Sequence, residues 1–148
     1  MVKKGKILVI EDNYQWSQRF KRILEKEGFK VQIANTKDEG LSILKKEFFH
    51  FATIDLQLDE STLVDEKFEG WDLLKNILEL GLARTMPTMV VTGFPGDEKE
   101  YNNRIKAIRD YGATYFMKKS EWNKELFIET ITNAIERLDV RFFNDYKD

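Results

Sequence analysis

The sequence predicts a doubly wound α/β fold, in which a single five-stranded parallel sheet carries helices on both faces. Two patterns support this fold class. Short apolar runs rich in β-branched residues recur along the chain with little polar alternation, as in strands that are covered on both sides. Amphipathic segments of helical periodicity lie between these runs. A strand followed by a helix, repeated along the chain, implies a parallel sheet with right-handed crossovers.

The apolar runs are of strand length, which favours strands over buried helices. They span Lys6–Ile10, Lys30–Ala34, Phe51–Ile54, Thr88–Val91 and Tyr115–Met117. Because ligands of such sheets bind at the carboxyl ends of the strands, the residues that follow each strand are the first candidates for a functional site.

Each predicted helix carries an apolar stripe on one face. Gly28 is expected to end the first helix, because glycine readily adopts the backbone conformation found at helix C-termini. Capping boxes that begin at Thr36 and Asp97 are expected to open the second and fourth helices. The stripes are Trp16, Phe20, Ile23 and Leu24; Leu41 and Leu44; Trp71, Leu74 and Leu78; Tyr101, Ile105 and Ile108; and Phe127, Ile131, Ala134, Ile135 and Leu138.

The composition limits the classes of function. The chain has 148 residues, 42% of them apolar, which suffices for one buried core. Its 24 basic and 26 acidic side chains give a net charge of −2 without long blocks of one sign, which argues against direct nucleic-acid binding. The lack of cysteine excludes disulfides and thiolate chemistry. The apolar run Ile7–Ile10 is too short for a signal peptide or a membrane span, so we expect a cytoplasmic domain.

Polar side chains follow four of the predicted strands. Any one of them alone is explained as a helix cap or a good strand former. Together they bring three carboxylates, a hydroxyl and an ammonium to one edge of the sheet, which is harder to explain by packing. They are Glu11 and Asp12 after the first strand, Asp55 after the third, Thr92 after the fourth, and Lys118 and Lys119 after the fifth.

This set of groups suits phosphoryl transfer. Three neighbouring carboxylates repel one another, and a hard divalent cation such as Mg²⁺ relieves that repulsion. Asp55 can act as a nucleophile without a general base, because a carboxylate is ordinarily ionised at neutral pH. The Thr92 hydroxyl, a lysine ammonium and Mg²⁺ would each take one oxygen of the phosphoryl group.

Five segments of the chain resemble the receiver domain of the response regulators of two-component signalling. The resemblance covers about residues 6–138 and implies the flavodoxin-like strand order 2-1-3-4-5. The segments are Lys6–Asn13, Phe51–Leu56, Gly70–Leu74, Met89–Gly93 and Gly112–Ser120.

The resemblance implies a role for each candidate residue. Asp55 matches the phospho-acceptor and Thr92 the switch hydroxyl. The spacing of the family's lysine after its Gly-Ala pair matches Lys119 rather than Lys118. The implied Mg²⁺ ligands are Glu11, Asp12, Asp55 and the backbone carbonyl of Gln57. The implied switch aromatic is Phe116, with Tyr115 as the alternative.

The sequence departs from the family pattern at three places. Glu11 replaces the commoner aspartate, and Asp59 and Ser120 stand where proline is common. Gly70 follows Asp55 by 15 residues, where the family usually has about eight. The extra residues form an acidic segment within about 56–69 that either tunes access to Asp55 or decorates a tolerant loop.

The resemblance implies a phospho-accepting signalling switch and not an enzyme that acts on other molecules. A sensor histidine kinase or phosphotransfer protein, or a small acyl phosphate, would phosphorylate Asp55. The change would spread to the face formed by the fourth predicted helix, the fifth strand and the fifth predicted helix, where a downstream protein or a second copy of the chain would bind. Its expected residues are Arg104, Ile105, Ile108, Lys118 and Trp122. We assign residues 1–140 to this domain and residues 141–148 to a short tail. We do not expect the domain to bind a membrane.

Alternative interpretations stay open. A degenerate receiver would bind proteins without taking phosphate. A Mg²⁺-dependent phosphohydrolase with an aspartate nucleophile would need a second aspartate where Gln57 stands. A nucleotide or flavin site would need a glycine-rich turn in place of Glu11–Tyr14. His50 is either a phosphotransfer histidine or a structural one, and its place in an aromatic run before a strand favours the structural role.

Overall fold

The computed structural model describes residues 5–56, 69–93 and 106–137 of the chain. These residues form a five-stranded parallel sheet. Its strands are β1 (Lys6–Ile10), β2 (Lys30–Ala34), β3 (Phe51–Ile54), β4 (Thr88–Thr92) and β5 (Tyr115–Lys118). The last two strands each extend one residue beyond the prediction. The strands lie in the order β2-β1-β3-β4-β5, as the family resemblance implies. The strand order reverses between β1 and β3, which is where a ligand site is expected.

The described residues also form four α-helices and three short helical turns. The α-helices are α1 (Tyr14–Lys26), α2 (Lys37–Lys46), α3 (Glu69–Glu79) and α4 (Lys124–Arg137). 3₁₀ turns occupy Leu82–Arg84 and Lys119–Glu121, and Lys106–Asp110 forms a π-helix. Within the described residues, none of the helices combines the length and the apolar character that crossing a membrane requires.

The helix ends follow their sequence signals. The Asn13 side chain accepts a hydrogen bond from the backbone N–H of Trp16 at 3.0 Å and caps the N-terminus of α1. Gly28, with φ of +98°, follows the end of this helix. Thr36 Oγ1 accepts from the Glu39 N–H at 3.1 Å, so the predicted cap of α2 is confirmed. The Glu39 carboxylate reaches back one residue further than a capping box requires, to the Asn35 N–H at 3.2 Å.

Two apolar layers cover the sheet, one on each face. Phe20 and Leu24 of α1 and Phe127 and Ile131 of α4 pack on one face, beneath the odd-numbered residues of β1. On the opposite face, α2 and α3 contribute Leu44, Leu73, Leu74 and Ile77. Because successive side chains of a strand point to opposite faces, each central strand contributes to both layers. The prediction of helices on both faces is confirmed.

Parts of the helical prediction need qualification. Leu78 lies at the edge of its predicted stripe and is 44% exposed, while Leu73 and Ile77 are buried. The fourth predicted helix falls mainly on residues outside the described ranges, and its Ile108 lies in the π-helix. Residues 57–68 of the predicted acidic loop 56–69, Leu138 and the tail 141–148 also lie outside the described ranges. The fifth predicted helix corresponds to α4.

Gly70 holds the start of α3 against the end of β3. Its N–H donates to the Leu56 carbonyl at 3.1 Å, and a Cβ built on Gly70 would overlap the Asp55 carbonyl oxygen and Leu56 Cα. Backbone atoms cannot rotate away as a flexible side chain can. We therefore expect Gly70→Ala to reduce the free energy of unfolding by about 2 kcal/mol or more, through overpacking.

Thermal unfolding followed by circular dichroism measures this effect, as a fall in Tm of roughly 5 °C. Gly93→Ala is the matched control, because among the described residues a Cβ there meets only the Lys119 side chain, at 3.7 Å. Equal Tm values for wild type and Gly70→Ala would contradict the expectation.

Candidate functional site

The candidate site lies where β1 and β3 end side by side. The Asp55 N–H donates to the Ile10 carbonyl at 3.0 Å, which ties the residue after β3 to the end of β1. The Glu11 N–H donates to the Ala34 carbonyl at 2.9 Å, which ties the residue after β1 to the end of β2. These ladder bonds fix both backbones, so the two carboxylates emerge at the same edge of the sheet.

The three predicted carboxylates form one cluster. One oxygen each of Glu11, Asp12 and Asp55 lies within 4.8 Å of the others. Glu11 and Asp55 are buried, 2% and 5% exposed, and Asp12 is half-buried. Little water is therefore available to screen the charges of the two buried groups.

Among the described residues, Lys119 reaches this cluster. Its Nζ donates to Asp55 Oδ2 at 3.0 Å and lies 2.7 Å from Glu11 Oε1. The Lys118 Nζ instead pairs with Glu121 at 3.2 Å. The 3₁₀ turn that begins at Lys119 turns the chain after β5, so two neighbouring lysines point to different partners. The geometry agrees with the choice of Lys119 over Lys118 made from the sequence.

The charges of the cluster shift the protonation of two groups. Burial, together with repulsion from Asp55 and a hydrogen bond between the two carboxyl groups, raises the pKa of Glu11 to about 8, although Lys119 acts in the opposite direction. Burial alone would lower the pKa of the Lys119 ammonium. Attraction to Asp55 and Glu11 outweighs burial, so the pKa of Lys119 is raised and the ammonium stays charged.

The donor atoms of the cluster fit a hard divalent cation. Mg²⁺ prefers oxygen ligands and needs only one or two carboxylates beside water and a phosphate oxygen. Burial, and after it the charge of Asp55, raises the pKa of Glu11, and a cation bound here would favour the charged form of Glu11 again. Gln57, whose carbonyl is the fourth predicted ligand, lies outside the described residues.

Thr92 ends β4, the strand that pairs with β3, and is completely buried. Its Oγ1 makes no hydrogen bond with the residues that the structure describes. A buried hydroxyl usually has a partner, so Thr92 has an unused donor at the edge of the sheet that carries Asp55.

The two candidate switch aromatics lie on opposite faces of the sheet. Phe116 pairs with Val90 in the β4–β5 register and packs in the layer of α2 and α3. Thr92 has the same parity on β4 as Val90, so it shares a face with Phe116. Tyr115 packs in the other layer, where its ring stacks on Phe51 at 6.2 Å. Because Phe116 shares a face of the sheet with Thr92, it is favoured over Tyr115 as the switch aromatic.

The expected partner face is only partly described. Arg104 and Ile105 lie outside the described residues. Ile108 is 44% exposed, whereas Trp122 packs against Trp16, Phe20 and Phe127 with ring centroids 5.6 to 5.8 Å away. Trp122 therefore belongs to the aromatic layer between α1 and α4, in keeping with a packing role.

His50 lies at the opposite end of the sheet and is buried. The ring Nδ1 of His50 accepts a hydrogen bond from the backbone N–H of Lys6 at 2.9 Å. The backbone N–H of His50 donates to the Lys6 carbonyl at 2.8 Å. Burial, followed by the charge of Lys6, lowers the pKa of His50 and favours the neutral ring. These contacts support the structural role for this residue.

Two contacts that shape the site are not predicted from the sequence. Asn13 accepts from the Trp16 N–H and donates its own N–H to Glu11 Oε2 at 3.1 Å, so it links α1 to the cluster. An asparagine three residues before an apolar stripe is a recognisable N-cap signal. The Trp16 ring faces Lys119, and nothing in the sequence pairs these distant residues.

A flavodoxin-like sheet with clustered carboxylates, a hydroxyl and a lysine at its carboxyl edge defines the receiver class of α/β domain. The chain belongs to this class by sequence as well: it is a member of the response regulator receiver domain family, which matches residues 7–132.

Solved structures of this family are similar over most of the chain. A CheY-like response regulator receiver domain protein from Methanospirillum hungatei is 28% identical, with a TM-score of 0.76 over 92% of this chain and 97% of that one. A response regulator from Burkholderia pseudomallei, solved with a phosphorylated aspartic acid and a calcium ion, is 29% identical. Its TM-score is 0.70, over 91% of this chain and 71% of that one. An uncharacterized 14.6 kDa protein of Leptolyngbya boryana is 26% identical over 71% of this chain and 75% of its own length.

Proposed function

We propose that this receiver domain is a phosphorylation switch that takes a phosphoryl group on Asp55 in a Mg²⁺-dependent reaction. The observation that carries the proposal is the contact of Asp55 with Lys119 at 3.0 Å, inside a cluster that also holds Glu11 and Asp12. The nucleophile, the cation-binding carboxylates and a positive group for the phosphoryl oxygens are therefore next to one another. The phosphorylated aspartic acid of the Burkholderia pseudomallei relative supports the same chemistry here.

The reaction needs a donor with a labile phosphoryl group, either a phosphohistidine of a sensor kinase or phosphotransfer protein or a small acyl phosphate. An oxygen of Asp55 forms a bond to phosphorus as the bond from phosphorus to the donor nitrogen or oxygen breaks, and the leaving group keeps the electron pair. Lys119 holds its ammonium against the charge that develops on the phosphoryl oxygens. Mg²⁺, held by Glu11, Asp12 and Asp55, would neutralise further charge on these oxygens.

The proposed response to phosphorylation begins at Thr92. Its hydroxyl would donate to an oxygen of the new phosphoryl group, and its inward movement would leave space for Phe116 on the same face of the sheet. The resulting change at β5 and the neighbouring helices would alter binding of a downstream protein or of a second copy. The chain catalyses only its own phosphorylation and dephosphorylation in this scheme and is not otherwise an enzyme. The cytoplasm remains its predicted location.

Intact-mass spectrometry after incubation with acetyl phosphate tests the proposal. With Mg²⁺ we expect the mass of the chain to increase by about 80 Da, the mass of one phosphoryl group. Without Mg²⁺ we expect little or no gain, because the crowded carboxylates repel the anionic donor. No gain under either condition, also when a histidine kinase supplies the phosphoryl group, would favour the degenerate receiver.

Thr92→Val separates the proposed role of this hydroxyl from its contribution to stability. The variant should be at least as stable as wild type, because it removes a buried hydroxyl with no hydrogen-bond partner among the described residues. Phosphorylation should nevertheless slow by about tenfold, since a hydrogen bond to a charged oxygen is lost. The initial rate of the mass increase and the Tm provide the two measurements.

Thr88→Val is the matched control for this prediction. Thr88 lies at the other end of β4, is 2% exposed, and its hydroxyl also makes no hydrogen bond in the described part of the chain. We expect wild-type phosphorylation for Thr88→Val. A Thr92→Val variant that reacts at the wild-type rate would remove Thr92 from the mechanism.

A further inference from the structure

The Lys119 ammonium has an aromatic neighbour besides its two carboxylates. Its Nζ lies over the Trp16 ring, 5.3 Å from the ring centroid, within the range of a cation–π interaction. The Lys119 side chain is only 12% exposed, and such interactions strengthen as the cation loses water. In the described part of the chain, three groups therefore hold this ammonium: Glu11, Asp55 and the face of Trp16.

Trp16 is itself fixed relative to the carboxylate cluster. Its backbone N–H donates to Asn13 Oδ1 at 3.0 Å, and the Asn13 N–H donates to Glu11 Oε2 at 3.1 Å. The other oxygen of Glu11 lies 2.7 Å from Lys119 Nζ. Glu11, Asn13, Trp16 and Lys119 thus form a closed ring of contacts, so the tryptophan cannot shift without disturbing the groups around Asp55.

A second route connects the same two residues through Trp122. The backbone N–H of Trp122 donates to the Lys119 carbonyl at 3.2 Å and closes the 3₁₀ turn. The rings of Trp16 and Trp122 meet edge to face at 5.7 Å, a favourable arrangement for aromatic pairs. Phe127 of α4 packs on Trp122 at 5.6 Å and supports it from the other side. The Lys119 backbone is therefore bonded to the backbone of Trp122, whose ring packs against the Trp16 ring that the Lys119 ammonium faces.

We propose that Trp16 is a positioning residue for phosphoryl transfer, whose ring face holds the Lys119 ammonium against Asp55; this role rests on the proposed phosphorylation of Asp55. Packing alone is the competing explanation, because the Trp16 ring also contacts Phe20 at 5.5 Å and the Arg19 guanidinium at 4.6 Å. The two explanations differ in what they require. Packing requires an apolar side chain of sufficient size, whereas positioning requires a π face.

Trp16→Leu and Trp16→Phe separate these explanations. Both keep an apolar side chain, and only phenylalanine keeps a π face. In acetyl phosphate with saturating Mg²⁺, we expect Trp16→Leu to be phosphorylated about three- to tenfold more slowly than wild type. Trp16→Phe should stay within about twofold of wild type, since a benzene ring still attracts the cation. In a Lys119→Gln background, Trp16→Leu should cause no further loss.

Trp71→Leu is the matched control for the loss of a tryptophan. Trp71 also contacts a lysine, Lys106 at 5.0 Å, but that lysine is not part of the carboxylate cluster. We expect wild-type phosphorylation for this variant. The proposal is overturned by a wild-type rate for Trp16→Leu, by an equal loss in Trp71→Leu, or by an undiminished effect of Trp16→Leu in the Lys119→Gln background.

NMR of the Lys119 side chain tests the contact without any phosphoryl transfer. Protons over the face of an aromatic ring resonate upfield, so the Lys119 ε-protons should be shifted upfield in wild type and in Asp55→Asn. The shift should disappear in Trp16→Leu. A wild-type chain that takes no phosphate would contradict the proposed function. A wild-type chain that takes phosphate while its Lys119 protons show no Trp16-dependent shift would overturn the positioning role alone.

Discussion

Asp55→Asn is expected to abolish phosphorylation, with no mass increase from acetyl phosphate and Mg²⁺ during incubations that fully modify wild type. The amide has the size of the carboxylate, but its neutral oxygen is a poor nucleophile for phosphorus. The variant should fold, because asparagine fills the same buried space and because Lys119 keeps its contact with Glu11.

The same substitution should also change Glu11. The charge of Asp55 and its hydrogen bond both raise the pKa of Glu11, in addition to burial. Asp55→Asn should therefore lower the Glu11 pKa from about 8 without returning it to the ordinary value, because the effect of burial remains. Carboxyl ¹³C NMR during a pH titration measures this change and shows that the site is intact in the variant.

Asp110→Asn is the control for the loss of a carboxylate. Asp110 is exposed and pairs with Arg109 at 2.9 Å, away from the cluster, so the variant should be fully phosphorylated. A mass gain in Asp55→Asn equal to that of wild type would show that another side chain is the acceptor. Glu11 and Asp12 would then be the next candidates, since their oxygens lie within 4.8 Å of those of Asp55.

Lys119→Gln is expected to slow phosphorylation by about a hundredfold, the usual cost of removing one group that stabilises charge in a transition state. Glutamine can still donate hydrogen bonds but carries no charge. The loss also leaves Glu11 and Asp55 without the ammonium that lies between them, so the pKa of Glu11 should rise further. The rate constant from quenched time points, measured by intact mass, checks the first effect.

Lys118→Gln provides a control that differs by a single position. Lys118 pairs with Glu121, so the cluster at Asp55 keeps its own lysine in this variant. We expect a rate within about twofold of wild type, as for a substitution away from the reacting groups. A loss in Lys118→Gln that matched the loss in Lys119→Gln would mean that the effect comes from the overall charge of this segment.

Periodicity explains how much of the fold could be predicted. The bounds of β1, β2 and β3 were predicted to the residue, because buried parallel strands read as continuous apolar runs between clear turn signals. The ends of β4 and β5 were one residue short, since Thr92 and Lys118 are polar and do not continue an apolar run. Leu78 fits a helical stripe by spacing but is 44% exposed. How much of a stripe is buried depends on the elements that pack against the helix.

The candidate site was predictable to the extent that it follows from position after a strand. Parallel strands end at the same edge, so Glu11, Asp12, Asp55 and Thr92 had to come close once the strand order was known. The family resemblance supplied that order and the choice of Lys119. The roles of these residues in phosphoryl transfer remain predictions.

The fold class, the family and the set of groups at the sheet edge can be predicted without a structure, because they depend on local periodicity and on position along the chain. Which atoms meet is a property of the folded chain. The turn after β5 aims Lys119 at Asp55 and Glu11, the burial of the cluster shifts the pKa of Glu11, and the packing of α1 places Trp16 over Lys119. Such contacts join residues that are far apart in the chain. They depend on the angles at which helices and turns leave the sheet, which no local pattern specifies.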